Sequence, residues 1–258
     1  MTIFLDNEEI YNGEIGGLTT NAGKVGFRTT ESTGRTIQGF TQETASAPEV
    51  VENTSEAEIA SEQMTVTLDA NFPRVVEYTL KEGGQTVKGQ ELALHQVELN
   101  NKLYTPKVTS DISGAKATYH VSEESTGISF DVIMEVKENV LSMHVKNIKD
   151  DKTKLYTLNF PEHSLISMSS KDAGGMLTVN DYRSESKVEL SKANVANAYS
   201  ETTLAVLSNQ NVAATLTGES YKNRHEVAYQ TFDLVNFNLI FLLQIFQPGI
   251  LIDSQIIL

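Results

Sequence analysis

The chain has 258 residues, 40% of them apolar and 21% charged, with a formal net charge of −14 and neither cysteine nor tryptophan. That length holds one large β domain with a smaller piece, or two small domains. The acidic balance, with no Lys- or Arg-rich run, argues against a nucleic-acid backbone or an anionic membrane surface as partner, and the missing cysteines exclude disulfides, thiolate metal sites and a thiol nucleophile.

The opening segment, Met1 to Asp6, lacks a basic n-region and a proper apolar h-region, so it does not read as a signal peptide. It reads as the inside of a domain, and a chain truncated at its N-terminus is the expectation. Ile3, Leu5 and the Ile10-Tyr11 pair flank Asp6-Asn7-Glu8, a pattern for a hairpin. Val25 to Arg28 reads as a further strand, opened by Ala22-Gly23. Residues 41–62 are polar, acidic and free of Lys and Arg, which predicts a linker with a short helix over Ser55 to Gln63. Asn53-Thr-Ser55 fits the N-glycosylation pattern, a motif with many chance matches.

From Met64 the apolar period is two. Ile128, Phe130, Val132, Met134 and Val136 form one arm, and Leu141, Met143 and Val145 the next, with Glu138-Asn139 as a tight turn between them. Val97 to Tyr104 repeats the idea around Asn100-Asn101. Further strands are predicted over 116–121, 154–159, 176–179, 203–207 and 212–216, and a mild helical pattern over 191–200. Short strands separated by Gly, Asn and Asp turns describe an antiparallel sandwich, not βαβ units. From Leu234 to Ile252 there is no charged residue, yet Asn236, Asn238, Gln244, Gln247 and Pro248-Gly249 interrupt the run, so it does not read as a transmembrane helix.

Five phrases carry a resemblance: Asn71-Phe-Pro-Arg-Val-Val-Glu-Tyr78, Gly89-Gln90, Pro106-Lys-Val-Thr-Ser110, the stretch from Phe160 to Gly175, and Ser220-Tyr-Lys-Asn-Arg224. Together they resemble the galactose-mutarotase-like β-supersandwich that precedes the catalytic barrel of bacterial endo-α-N-acetylgalactosaminidases, enzymes that release Galβ1-3GalNAc from Ser and Thr of mucin-type glycoproteins. The first forty residues are similar to the last strands of the concanavalin-like sandwich of that family. The resemblance implies an all-β chain: a sandwich remnant over 1–40, an acidic linker over 41–62, a supersandwich over 63–233 and an atypical apolar tail over 234–258. In the family, a segment like Tyr229 to Asp233 leads into a charged connection to the barrel. The departure after Asp233 suggests a shifted or prematurely ended reading frame, with a buried terminal strand as the alternative.

The resemblance implies an accessory region of a secreted or cell-wall-attached glycosidase whose catalytic carboxylates lie on the barrel, the partner expected for this chain. Glycoside hydrolysis needs two carboxylates flanking the scissile bond. Here Glu8-Glu9, Glu123-Glu124 and Asp150-Asp151 fall in expected turns and read as solvated charges. No metal-ligand spacing, phosphate-binding glycine loop or nucleophile elbow is present in the sequence, so neither a catalytic residue nor a cofactor is assigned. A mutarotase would need a His acid and a Glu base. His144 has the opposite parity to Met143 and Val145, and His163 sits in a strand-breaking phrase. Carbohydrate contact is the remaining chemistry, with Tyr182-Arg183 and Tyr221 with Arg224 as the candidate residues, since ring faces beside amides and charged groups suit sugars. A scaffold module, a carbohydrate-binding module and an autonomous mutarotase all stay open.

Overall fold

The computed structural model describes residues 2–5, 8–12, 48–100, 102–161, 164–181, 184–192, 200–202, 204–218, 227–231, 236–241 and 253–257. The chain divides into two compact units, Met1–Ala47 and Pro48–Leu258. In the first unit, β1 (Thr2–Leu5) pairs antiparallel with β2 (Glu8–Asn12), the hairpin that Ile3, Leu5 and Ile10-Tyr11 predict. The strand expected at Val25 to Arg28 lies outside the described residues.

The second unit begins inside the expected linker. Glu56–Ala60 is a strand, β3, not a helix, and it pairs antiparallel with β4 (Met64–Asp69). The correction has a simple cause. In Glu56-Ala-Glu-Ile-Ala60 the period is two, with Glu56 and Glu58 exposed and Ile59 fully buried, and one buried isoleucine against a sheet outweighs the acidic composition.

Beyond β4 come β5 (Val75–Leu80), β6 (Thr86–Lys88), β7 (Val97–Leu99), β8 (Lys102–Tyr104), β9 (Lys107–Ser113), β10 (Lys116–Glu123), β11 (Ile128–Lys137) and β12 (Val140–Lys149). They are followed by β13 (Leu158–Asn159), β14 (Ser164–Ser169), β15 (Met176–Asp181), β16 (Ser184–Glu189), a single 3-10 turn at Leu190–Lys192, β17 (Ser200–Thr202), β18 (Leu204–Ser208) and β19 (Ala213–Gly218). Last are β20 (Val227–Thr231), β21 (Asn236–Phe241) and β22 (Asp253–Ile257). Two large antiparallel sheets result, one of nine strands in the order β16-β15-β18-β19-β22-β12-β11-β10-β9 and one of eight in the order β17-β20-β21-β14-β6-β5-β4-β3. A small sheet, β13-β7-β8, stands beside them.

The large sheets face each other, with β3 against β9, β10 and β11, and β14 and β20 against β18 and β19. Alternation creates that interface. On β10, Ala117, Tyr119 and Val121 are buried while Lys116, His120 and Ser122 are exposed; on β11, Ile128, Phe130, Val132, Met134 and Val136 point inward. Leu141, Met143 and Val145 of β12, Met64, Val66 and Leu68 of β4, and Leu207 and Leu216 of β18 and β19 join one continuous core.

Two segments after Asp233 are strands of the large sheets. β21 lies between β20 and β14, and β22 lies between β19 and β12, so each joins two halves of a large sheet through antiparallel pairing on both sides.

Candidate functional site

Two polar clusters stand out, one inside the sandwich and one on its outer face. The inner one is built by the turn from β4 to β5. Asp69, the last residue of β4, is fully buried; its backbone N–H donates to the Arg74 carbonyl at 3.0 Å, and its carboxylate accepts from the Asn71 N–H at 2.9 Å. Arg74 Nε lies 3.4 Å and His95 Nε2 2.8 Å from Asp69 Oδ2. Arg74 Nη1 donates to the carbonyls of Gln90, at 2.8 Å, and Glu91, at 3.1 Å, so the guanidinium pins a second loop to the turn. Buried Gln90 donates to the Leu92 carbonyl at 2.7 Å. Tyr119 Oη donates to the Asp69 carbonyl at 2.7 Å, and burial, followed by the Asp69 charge, pushes that phenol well above its ordinary pKa.

Close packing completes this inner clamp. The Phe72 ring stacks on His95, with centroids 5.2 Å apart, and Phe160 meets Phe72 edge-on at 6.0 Å. Gly89 lies so close to β5 that a Cβ there would stand 2.3 Å from the Val75 carbonyl oxygen. Ser110 donates to the Ala70 carbonyl at 2.6 Å. The phrases Asn71 to Tyr78, Gly89-Gln90, Pro106 to Ser110 and the start of Phe160 to Gly175 therefore converge on one buried clamp. A carboxylate with no exposed surface, already holding a guanidinium, an imidazole and a backbone N–H, is arranged to hold loops together, not to meet a substrate.

The outer cluster sits on the face of β9–β12 turned away from the core. His120 on β10 pairs in register with Asp131 on β11, and both have the parity opposite to the buried residues. His120 Nδ1 lies 2.7 Å from Asp131 Oδ1, and Nε2 lies 3.4 Å from Asp111 Oδ2 on β9. The Asn147 amide donates to Asp131 Oδ2 at 2.6 Å. Asn147 comes from a bulge. Asp131 faces Lys146 while Ser129 faces Lys149, so β12 spends an extra residue there, and Asn147 takes φ 54°, a left-handed conformation that asparagine tolerates.

These contacts set the charges. Hydrogen bonds from His120 to Asp131, then to Asp111, raise the imidazole pKa. Burial alone would raise the Asp131 carboxyl; the hydrogen bonds from Asn147 and His120 and the His120 and Lys149 charges outweigh it and hold the group below its ordinary range. A groove of about 710 Å³ opens over the cluster, lined among others by Lys107, Thr109, His120, Asp131, Asn147 and Lys149.

The residues proposed from sequence for sugar contact, Tyr182, Arg183, Tyr221 and Arg224, lie outside the described residues, as does His163. His144 is half-buried between buried Met143 and Val145, as its parity predicts. Among the turn carboxylates, Glu123 accepts from the N–H groups of Ser125 and Thr126, and Asp150 from the Leu155 N–H. Both act as local turn caps. Sequence reasoning missed His120, Asp131 and Asn147; opposite parity to Tyr119 and Phe130 was the available signal, but it needed the β10–β11 register to bring them together. Among the described residues no three His, Asp or Glu side chains are placed to hold a metal ion, and no helix is long and apolar enough to cross a membrane.

Two large antiparallel sheets packed face to face, with no helical layer among the described residues, define an all-β supersandwich. The chain belongs to the family of the galactose mutarotase-like fold domain, whose family model matches residues 59–236. Over 119 residues, 45% of this chain, it is 24% identical to a Renibacterium salmoninarum protein named "Putative endo-alpha-N-acetylgalactosaminidase", and that match spans 8% of the relative's length. Among solved structures it is similar to a galactose mutarotase related enzyme from Lactobacillus acidophilus, with 8% identity, a TM-score of 0.45 and coverage of 79% of this chain and 97% of that one. The alpha-galactosidase of Lactobacillus brevis matches at 8% identity and a TM-score of 0.45, over 81% of this chain and 40% of its own.

Proposed function

We propose that the chain is a non-catalytic accessory region of a glycoside hydrolase, specifically of an endo-α-N-acetylgalactosaminidase acting on mucin-type O-glycans. The observation that carries the reading is the family match over 59–236, taken with the 24% identity to a protein named as such an enzyme. The role is support of a separate catalytic barrel, with carbohydrate binding beside it, in a secreted or cell-wall-attached parent. The buried clamp favours this reading over an autonomous enzyme. It uses the Asp69, Arg74 and His95 side chains to hold loops, and the exposed His120 pairs with aspartates, not with the Glu base that mutarotation asks for.

The test is hydrolysis by the purified chain of a nitrophenyl α-glycoside of Galβ1-3GalNAc, with polarimetry of freshly dissolved α-galactose alongside. The expected result is neither disaccharide release nor faster mutarotation. Release of the disaccharide would overturn the non-catalytic reading, and accelerated mutarotation would replace it with the enzyme alternative.

A further inference from the structure

The outer groove on β9–β12 is unused by the scaffold role, and its construction points to a ligand. The bulge at Asn147 turns Ile148 back toward the core and leaves the asparagine exposed. It inserts one residue between outward-facing Lys146 and Lys149 and aims an amide at Asp131. The bulge thus keeps an aspartate, a histidine and an asparagine side chain together on an open face.

We propose that this groove binds a neutral hexose ring, with Asp131 accepting hydrogen bonds from adjacent hydroxyls and Asn147 and His120 completing the set. Charge selects that class. An anionic ligand would meet Asp131 and Asp111 within the field of a chain of net charge −14, whereas a cation would meet His120, Lys107 and Lys149. A polyhydroxylated neutral ring meets donors and acceptors without bringing a charge of its own.

Capacity agrees with charge. Each Asp131 oxygen takes one protein donor, from His120 or Asn147, and an ionised carboxylate has about four lone-pair directions, so two remain for hydroxyls. At 18% exposure the carboxylate is reachable, yet it is held in place by its neighbours. The groove's 710 Å³ falls within the range of about 300–1,000 Å³ that small-ligand clefts occupy. Val121 and Phe130 also border the groove, but both side chains belong to the buried core; Ile148 supplies an apolar part of the lining, and no Tyr, Trp or exposed Phe ring lines it for stacking. Affinity in the millimolar range is therefore expected.

Only the choice of a galacto-configured probe rests on the accessory-region reading. The experiment is a ¹H–¹⁵N NMR titration of the full chain with methyl β-galactoside, with serine-linked Galβ1-3GalNAc and with methyl β-glucoside, repeated with D131N. The expected result is saturable shifts at His120, Asp131 and Asn147, with binding about ten- to a hundredfold weaker in D131N, the loss of a hydrogen bond to a charged acceptor. An unchanged thermal midpoint shows that D131N folds, and N147G, which keeps the bulge and removes the amide, should weaken binding independently.

Saturation by the glucoside alone would support the groove and count against the mucin-glycan parent. Galactoside shifts confined to the regions of Tyr182 and Tyr221 would overturn the groove and leave that parent standing. No shift with any of the three sugars would overturn the groove.

Discussion

Among the described residues, two Asp–His pairs have nearly the same length, 2.8 Å between His95 and Asp69 and 2.7 Å between His120 and Asp131, and they do opposite work. Asp69 has no exposed surface, whereas the outer pair leaves His120 48% and Asp131 18% exposed. At Asp69 the carboxylate is fully desolvated, so its contacts must be complete, and removing it strands the buried Arg74 beside it. On the surface water screens the pair, so it adds little stability and its unused lone pairs stay open to a ligand. Distance alone therefore does not tell a structural pair from a binding pair; burial and leftover hydrogen-bonding capacity do.

The same deletion at both aspartates should separate them most clearly. Asp69→Ala leaves Arg74 charged and buried without its partner, and a loss of about 3–5 kcal/mol in urea unfolding is expected. Asp131→Ala should stay within about 1 kcal/mol of the wild type, the scale of an exposed pair. Equal losses at the two positions would sink the distinction.

The clamp depends on close approach as much as on charge. Gly89→Ala puts a Cβ against the Val75 carbonyl oxygen, and backbone cannot step aside as a flexible side chain would. β5 or the Gln90 loop must shift, and a loss of about 1–3 kcal/mol is expected, read from the thermal midpoint. A neutral result would mean that the Arg74 contacts to Gln90 and Glu91 do not hold that loop.

What could be read from the residues follows from what a linear pattern encodes. Period-two alternation marks β10, β11 and β12 and the turn at Glu138-Asn139, and it separates the inward from the outward face of each strand. It does not carry register, and the outer groove exists only because β10 and β11 pair His120 with Asp131. Nor does it reveal a bulge, since Asn147 looks like an ordinary polar residue until the strands are aligned. β3 was hidden by its glutamates, which composition assigns to a linker although Ile59 anchors the strand. β21 lies in the uncharged run after Asp233 and β22 just beyond it, and the linear pattern does not say which neighbours flank either strand. The clamp was visible only as the phrases that carried the resemblance; a buried aspartate at a strand end reads, from sequence, as a solvated turn.

The smallest expected effect tests the outer pair through its protons. His120 gains partners on folding, so its raised pKa contributes stability that is fully present below the unfolded value of about 6.5 and is lost as pH rises through the folded value. Asp131 has a lowered pKa, so its contribution is present above its unfolded value of 3.8 and is lost as pH falls through the folded one. The pair therefore stabilises most between about 3.8 and 6.5, and solvent screening keeps the effect under about 1 kcal/mol. Unfolding curves would strain to resolve that, but the imidazole resonances of His120 report it directly. Their midpoint should lie above the ordinary histidine value, and Asp131→Asn should move it back down, because Asp131 is the largest cause of the shift and Asp111 stands farther away. A His120 midpoint indifferent to Asp131→Asn would show that the pair does not persist in solution, and the ordered carboxylate on which the groove's hydroxyl recognition depends would go with it.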